Sequence, residues 1–440
     1  MGRGLRSLTY PCNRVTLASR EGVGRPASGS TSQEIADEVP WLGRATVTAN
    51  PMRRLVASIL VVVAFVTAGQ PAAARERWSE KEAAAWYSRH PWLVGANYIP
   101  SDAINQLEMW QADTWAPQRI DLELSWAQAI GMNTMRVFLD DLLWEQDATG
   151  FRLRIDQFLE IASRHGIKPL FVLFDSCWDP HPKLGPQHPP IPGVHNSGWV
   201  QSPGIDRLRN PANEVKFKAY VQGVISALAQ DDRVLGWDVW NEPDNPSPDY
   251  QGQEGKIEIV EHLLPQVFAW ARAVNPSQPV TSGLWRHDDW SPTAKLTAIE
   301  RVQVDQSDVL SFHDYRWPEQ FERRVQQLEL YRRPVLCTEY MARGNGSTID
   351  TVLPIGKRHR VGMINWGLVE GKTQTRFPWD SWKRPYTLEE PTVWFHDIFH
   401  ADGTPYRKAE TDLIRQLAGA RTDAAPATAS SLPQAAASAH

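Results

Sequence analysis

Two glutamates in this chain are placed to do proton-transfer and nucleophilic work. Glu242 stands in GWDVWNEPDNP, residues 236 to 246, where a tryptophan-rich run meets Asn241, Glu242 and Pro243. Glu339 stands in CTEYMA, 97 residues later. A short apolar run that stops at polar residues is the pattern of a buried strand, so each carboxyl is expected at a strand end. Two carboxyls brought to one place can hydrolyse an acetal. One protonates the leaving oxygen while the other attacks the anomeric carbon or activates water. A separation of roughly 5 to 5.5 Å would mean attack, a covalent intermediate and retained configuration.

Bringing Glu242 to Glu339 requires strands that end on one rim. From Trp92 onward eight short apolar runs recur, at 92–100, 131–139, 167–175, 234–243, 279–285, 309–315, 334–341 and 362–369. Amphipathic pieces lie between them, among them APQRIDLELSWAQAI, RIDQFLEIASRH, PANEVKFKAYVQGVISALAQ, IEIVEHLLPQVFAWARAV and PEQFERRVQQLELY. Continuously apolar strands need a parallel sheet covered by helices, and short right-handed crossovers provide one. The pattern predicts an α/β fold, a (β/α)8 TIM barrel forming one domain over residues 75–417. Functional groups of such a barrel gather at the carboxyl ends of the strands, which is where both glutamates fall.

The motifs NTMRVFL, DVWNEP, SFHDY, CTEYM and INWGL, each at one expected strand, carry a resemblance. Between about Trp92 and Leu417 the chain resembles a clan A glycoside hydrolase, nearest in type to family 5, the cellulases and mannanases. The resemblance implies Glu242 as acid/base and Glu339 as nucleophile. It implies Arg136 steadying that nucleophile, Asn241 donating to the sugar 2-hydroxyl, His313 and Tyr315 beside the carboxyls, and Trp366 under the sugar at the cleavage point. Asn97, Asp175, Trp178 and His181 are expected to complete the substrate contacts. Two departures accompany the likeness. Family 5 usually carries a histidine near the end of strand three, whereas FDSCWDPHP offers Asp175, with His181 six residues later. The stretch LCTEYMARGNG also resembles the nucleophile region of family 2 β-galactosidases. Burial and the charge of Glu339 should raise the pKa of Glu242, and Arg136 should keep Glu339 ionised.

The chain holds 20 tryptophans, many beside Gly, Pro, Asp or Asn at expected strand ends, which suits gripping a flat hydroxylated ring. About half are expected in the core. The stretch 176–210, rich in Pro and Gly, is expected as a substrate-wall loop, and Trp285, Trp317 and FPWDSWKRPYTL (377–388) as outer walls. Asp140, Asp141 and Glu370 are further candidates for hydroxyl contacts. The expected partner is a β-linked oligo- or polysaccharide. A binding barrel that holds glycan without turning it over is the alternative, disfavoured because a pure binder gains nothing from a second buried charge.

A formal net charge of -5, with 46 scattered Lys and Arg, argues against nucleic acid. His181, His188 and His195 recur every seven residues, but their proline-rich spacing is not that of a metal site, and neither metal nor cofactor is expected. Residues 52–74, with two arginines, an apolar run and Ala72 to Ala74, read as a signal peptide cleaved after Ala74, with no stable membrane insertion afterwards and a secreted or periplasmic product. Met52 is then the expected start, residues 1–51 a misassigned or disordered extension, and residues 418–440 a disordered tail. Cys177 and Cys337 are expected as buried thiols.

Overall fold

The eight apolar runs form eight short strands: β1 (Val94–Asn97), β2 (Thr134–Phe138), β3 (Lys168–Val172), β4 (Gly236–Asp238), β5 (Val280–Thr281), β6 (Leu310–His313), β7 (Val335–Glu339) and β8 (Gly362–Asn365). A computed structural model describes residues 74–419 of the chain. The strands make one parallel sheet in the order β5-β4-β3-β2-β1-β8-β7-β6. The sheet edges, β5 and β6, meet through a parallel bridge between Leu284 and Phe312. Leu284 donates to Ser311 O at 3.0 Å and His313 donates to Leu284 O at 2.8 Å. A parallel sheet covered by helices and closed on itself is a (β/α)8 TIM barrel.

Strand parity sets what faces the barrel interior. On β2, Met135 and Val137 join the core between strands and helices, so Arg136 between them turns inward, where it is 0% exposed. On β4, Trp237 and Val239 join that same core and Asp238 turns inward. Trp110, Trp126, Trp237, Trp240 and Trp290 are among the largest fully buried side chains, which accounts for the tryptophans expected as packing.

The amino-terminal mouth of the barrel is plugged by a helix absent from the sequence expectation, Glu80–Ser88. Its Ala83, Trp86 and Tyr87 pack with Leu93, Leu170, Leu235, Val309, Leu336 and Ile364, which lie at or near the beginnings of six strands. The signal for it was present in Ser79 and Glu82, which form a reciprocal capping box. Helices Ala298–Gln306, Ile349–Arg358 and Lys408–Ala418 were also not anticipated. The last runs one residue past the expected boundary at 417 and ends on Gly419 at φ 74, a left-handed position that suits glycine. The helix expected from Arg154 begins earlier, at Asp141, and breaks at Asp147.

The stretch 176–210 is not wholly irregular, since Ile205–Leu208 is a helical turn. Cys177 and Cys337 are both buried and unpaired. Among the described residues no helix is long and apolar enough to cross a membrane. The expected signal segment at 52–74, except Ala74, and the extension 1–51 lie outside the described residues, as does the tail from 420.

Candidate active site

Arg136 is the hub at the carboxyl end of the barrel. Its Nη1 donates to Glu339 Oε1 at 2.7 Å and to Asn97 Oδ1 at 3.0 Å. Its Nη2 donates to Asn241 Oδ1 at 2.7 Å and to Asp238 Oδ2 at 2.8 Å, and Nε also reaches Asp238 Oδ2 at 3.1 Å. Sheet register produces part of this directly, because Asn97 on β1 lies opposite Arg136 on β2. A planar fork is thereby fixed by four residues from three strands or their ends, β1, β4 and β7, which pins the Glu339 carboxyl.

Register also pairs His313 on β6 with Glu339 on β7, after an irregularity between Phe312 and His313. Such irregularities re-aim side chains at barrel rims. Here His313 lies between the two carboxyls, with Nδ1 2.8 Å from Glu242 Oε1 and Nε2 3.6 Å from Glu339 Oε1. Tyr315 donates its hydroxyl to Glu339 Oε2 at 2.7 Å. Glu242, His313 and Glu339 each present one atom within 4.8 Å of the other two, so the carboxyl oxygens approach that closely.

Glu242 follows β4 with φ at 41°, a backbone conformation that favours glycine. Its side chain is held by neutral donors: Asn245 Nδ2 at 2.6 Å and the Cys177 thiol at 3.3 Å, both to Oε2. Neither Cys177 nor Asn245 was singled out as a site residue from sequence. Asn245, three residues after Glu242, was the findable one, since a side chain in a turn readily reaches back that far.

Burial lifts the pKa of Glu242 above the ordinary glutamate value, opposed by the Asn245 and Cys177 hydrogen bonds. Burial also lifts Glu339, and the charge of Glu242 adds to the lift, against the expectation that Arg136 would keep it ionised; Arg136 and the Tyr315 hydroxyl oppose the shift. His313 is pushed down to about 4 by burial and is therefore neutral near pH 7. One guanidinium faces Asp238 and Glu339 directly, and a third ionised carboxyl nearby would go uncompensated. The pair thus holds a proton. Glu339 accepts from a guanidinium and a phenol, whereas the hydrogen-bond donors on Glu242 are all neutral, so the two carboxyls sit in unlike surroundings.

The same groups suit proton transfer better than a divalent ion. Both Glu339 oxygens and Oε1 of Glu242 already have partners, and a guanidinium 2.7 Å from Glu339 repels a cation.

Four sequence expectations need correcting. Asn97 spends its polar atoms on the protein: its amide donates to Thr338 O at 2.7 Å and Asn365 O at 3.2 Å while its oxygen holds Arg136. Asp175 positions rather than binds, accepting from Trp199 Nε1 at 2.7 Å, Asn241 Nδ2 at 2.8 Å and Cys177 N at 2.9 Å. The Asn241 amide expected at a sugar hydroxyl thus already spends one hydrogen on Asp175. His181 does not reach the carboxyls; flanked by prolines, it stands 47% exposed with Nδ1 3.1 Å from Asp206. Asp140 and Asp141 are buried in helix capping and an ion pair with Arg207, not turned to a ligand. Glu370, also a candidate, lies partly exposed 3.8 Å from Arg376.

The two expected indoles lie near each other. Trp366 is half-buried and meets Phe138 and Trp199 edge-on, at 5.9 and 5.8 Å between ring centres. Trp178 packs against that same cluster from the loop after β3. The three histidines spaced by seven have separate partners: Asp206 for His181, Pro189 O for His188 and Phe377 O for buried His195.

No protein-family model matches the chain, and no curated protein matches it. Solved structures do. A variant of GH5_18 from Streptomyces cattleya in complex with Manb1-4GlcNAc superposes with a TM-score of 0.52 at 13% identity, over 77% of this chain and 82% of that one. The exo-beta-1,4-mannosidase Op5Man5 from Opitutaceae bacterium strain TAV5 gives 0.50 at 19% identity. That match covers 74% of this chain but 59% of the mannosidase. The likeness is one of fold. At such identities the barrel is shared, and what this barrel does has to be argued from its own side chains.

Proposed function

We propose that this chain is a retaining β-glycoside hydrolase that cleaves β-linked oligo- or polysaccharide by double displacement. One observation carries the reading: two carboxyls within 4.8 Å of each other, one held by a guanidinium and a phenol, the other by neutral donors only. That asymmetry separates a nucleophile from an acid, and the short distance falls on the side of direct attack rather than the roughly 6.5–9.5 Å that an inverting pair keeps for a sugar and an attacking water.

In the first step a Glu339 carboxylate oxygen attacks the anomeric carbon. The bond from that carbon to the glycosidic oxygen breaks, and the Glu242 proton passes to the departing oxygen. The product is a glycosyl ester on Glu339 with Glu242 ionised. In the second step water attacks the anomeric carbon, Glu242 takes its proton, and the ester bond breaks to restore Glu339. Neutral His313, 2.8 Å from Glu242, orients the acid, while Arg136 and Tyr315 receive the returning charge on Glu339. Trp366 supplies an apolar face for the ring.

The resemblance of LCTEYMARGNG to family 2 fits the same chemistry, since a glutamate at the end of strand seven attacks in both readings. Because the two matched barrels are a complex with Manb1-4GlcNAc and a mannosidase, β-mannosides head the panel of substrates to try. Hydrolysis followed by proton NMR is expected to give the β-anomer first, mutarotating later. An α-anomer as first product would rule out the covalent route.

A binding-only barrel is the weaker reading. Ionisable groups packed this closely at low exposure are costly to bury, and sugar binding requires only one of them. For export, the 52–74 pattern supports a mature chain beginning at Arg75, which terminal sequencing of secreted protein would check. A mature chain starting elsewhere would remove that assignment.

A further inference from the structure

The loop after β3 and the segment after β8 are joined across the top of the two strands between them, β1 and β2. Asn196 donates its backbone N–H to Thr373 O at 2.7 Å, and Tyr386 donates to Gly193 O at 2.9 Å. Gln374 Nε2 reaches Ile191 O at 2.7 Å and Val194 O at 3.0 Å, and Trp382 Nε1 reaches His195 O at 2.8 Å. Outside these bonds the indoles of Trp178 and Trp382 stack, 5.3 Å apart with planes 17° from parallel. Asn196 and Thr373, on the two sides of the seam, are both buried. Buried backbone bonds plus an indole stack make a standing wall, since opening it would strand polar groups away from water.

Against that wall lies a recess lined by Asn97, Phe138, Trp199, Trp366, Thr375 and Asp397, with a volume of about 20 Å³. Roughly 10–15 Å³ on that measure holds one water. A second sugar ring needs many times more, so this recess beside Trp366 takes little more than a hydroxyl and its water. The end of the recess is polar. Asp397 is 1% exposed, and its two oxygens share one donor, the Thr375 hydroxyl, at 2.9 Å each. One hydroxyl carries one hydrogen, so this carboxyl has acceptor capacity left for a further O–H.

The chemistry fixes which end of a glycan meets the wall. Glu242 on the β4 side must touch the glycosidic oxygen, so the leaving group lies over β4. The ring under attack then extends from its anomeric carbon away from Glu242, towards β8, which stands across the closed barrel from β4. Its non-reducing end therefore points into the recess. On the leaving-group side, Arg286 is exposed beside half-buried Trp285, and Trp317 is 61% exposed.

We propose, resting on the hydrolase reading, that the chain acts from the non-reducing end, taking a single terminal sugar and releasing one monosaccharide per turnover, with Asp397 accepting a hydroxyl of that terminal ring. The seam between the β3 and β8 loops is what bars internal cleavage. Trp285 and Trp317 serve the remainder of the chain as it leaves over β4 to β6.

The test is a time course on manno-, gluco- and xylo-pentaoses labelled at the reducing end, with products resolved by length. The expected first labelled product is the tetraose, then the triose, each step matched by free monosaccharide, while the viscosity of the corresponding soluble polysaccharide barely falls. Labelled biose or triose as first product, or an early viscosity drop, would overturn chain-end action and leave the hydrolase reading standing. No cleavage of any pentaose or aryl β-glycoside would remove both. Asp397→Asn, which keeps the side-chain shape, is expected to raise KM about ten-fold with kcat little changed, the size of one lost or weakened hydrogen bond. An unaltered KM would remove Asp397 from the terminal hydroxyl.

Discussion

Glu339→Gln is expected to lower kcat on every β-glycoside the protein cleaves by about 10⁴-fold or more, the scale of losing a nucleophile that acts as part of a unit. Affinity for the uncleaved substrate should survive, because the amide oxygen of glutamine can still accept from Arg136 and the amide occupies the same space. Calorimetric binding alongside single-turnover kinetics separates the two. The site's own contacts make this the largest effect available. Arg136 keeps Asp238 as its anion, so removing the Glu339 charge leaves no unpaired buried cation. Activity within ten-fold of the parent would sink the double-displacement reading.

Glu242→Ala is expected to show a second, more selective loss. With a sugar as leaving group the oxygen departs only when protonated, so the rate should fall about 10²- to 10⁴-fold. With dinitrophenol as leaving group no proton is needed, so the first step should persist and the glycosyl ester accumulate. Added azide, which needs no base, should then restore turnover and give a β-glycosyl azide. Equal losses on both leaving groups would take the acid role away from Glu242.

The pH profile belongs to the same argument. Glu339 must be ionised, so kcat/KM falls as pH drops through its pKa. Glu242 must be protonated, so kcat/KM falls as pH rises through its pKa. Burial raises both, so both limbs should lie above the ordinary glutamate value, and the dinitrophenyl substrate with Glu242→Ala should lose the alkaline limb only.

Most of the barrel was legible because a covered parallel strand must be apolar along its length, and each of the eight runs contains the strand that formed there. Helices were less so. Glu80–Ser88 precedes the first strand and has no neighbouring strand to announce it, although its capping box did. Of the site, Glu242 and Glu339 came from the strand-end pattern, because strand ends converge on one rim in this fold, while Arg136, His313 and Tyr315 came from the family resemblance, and the five lie together. Asn97 and Asp175, expected at the substrate, are held by protein partners instead. Whether an amide or carboxyl faces a ligand or a neighbour depends on what the adjacent strand presents, as Arg136 does to Asn97. His181 failed for a related reason, since a proline-rich loop gives no periodicity from which to read its direction.

By itself, then, the chain's order of apolar runs and polar stops determined a (β/α)8 barrel and two carboxyls on one rim, because those follow from local patterning and backbone hydrogen bonding. Only the tertiary structure decided how the carboxyls differ. Register set a guanidinium and a phenol on Glu339, the loop after β3 set a thiol on Glu242, and two loops far apart in sequence closed one end of the site. These are contacts between segments up to some two hundred residues apart, and their strength comes from burial, which no single stretch of sequence displays.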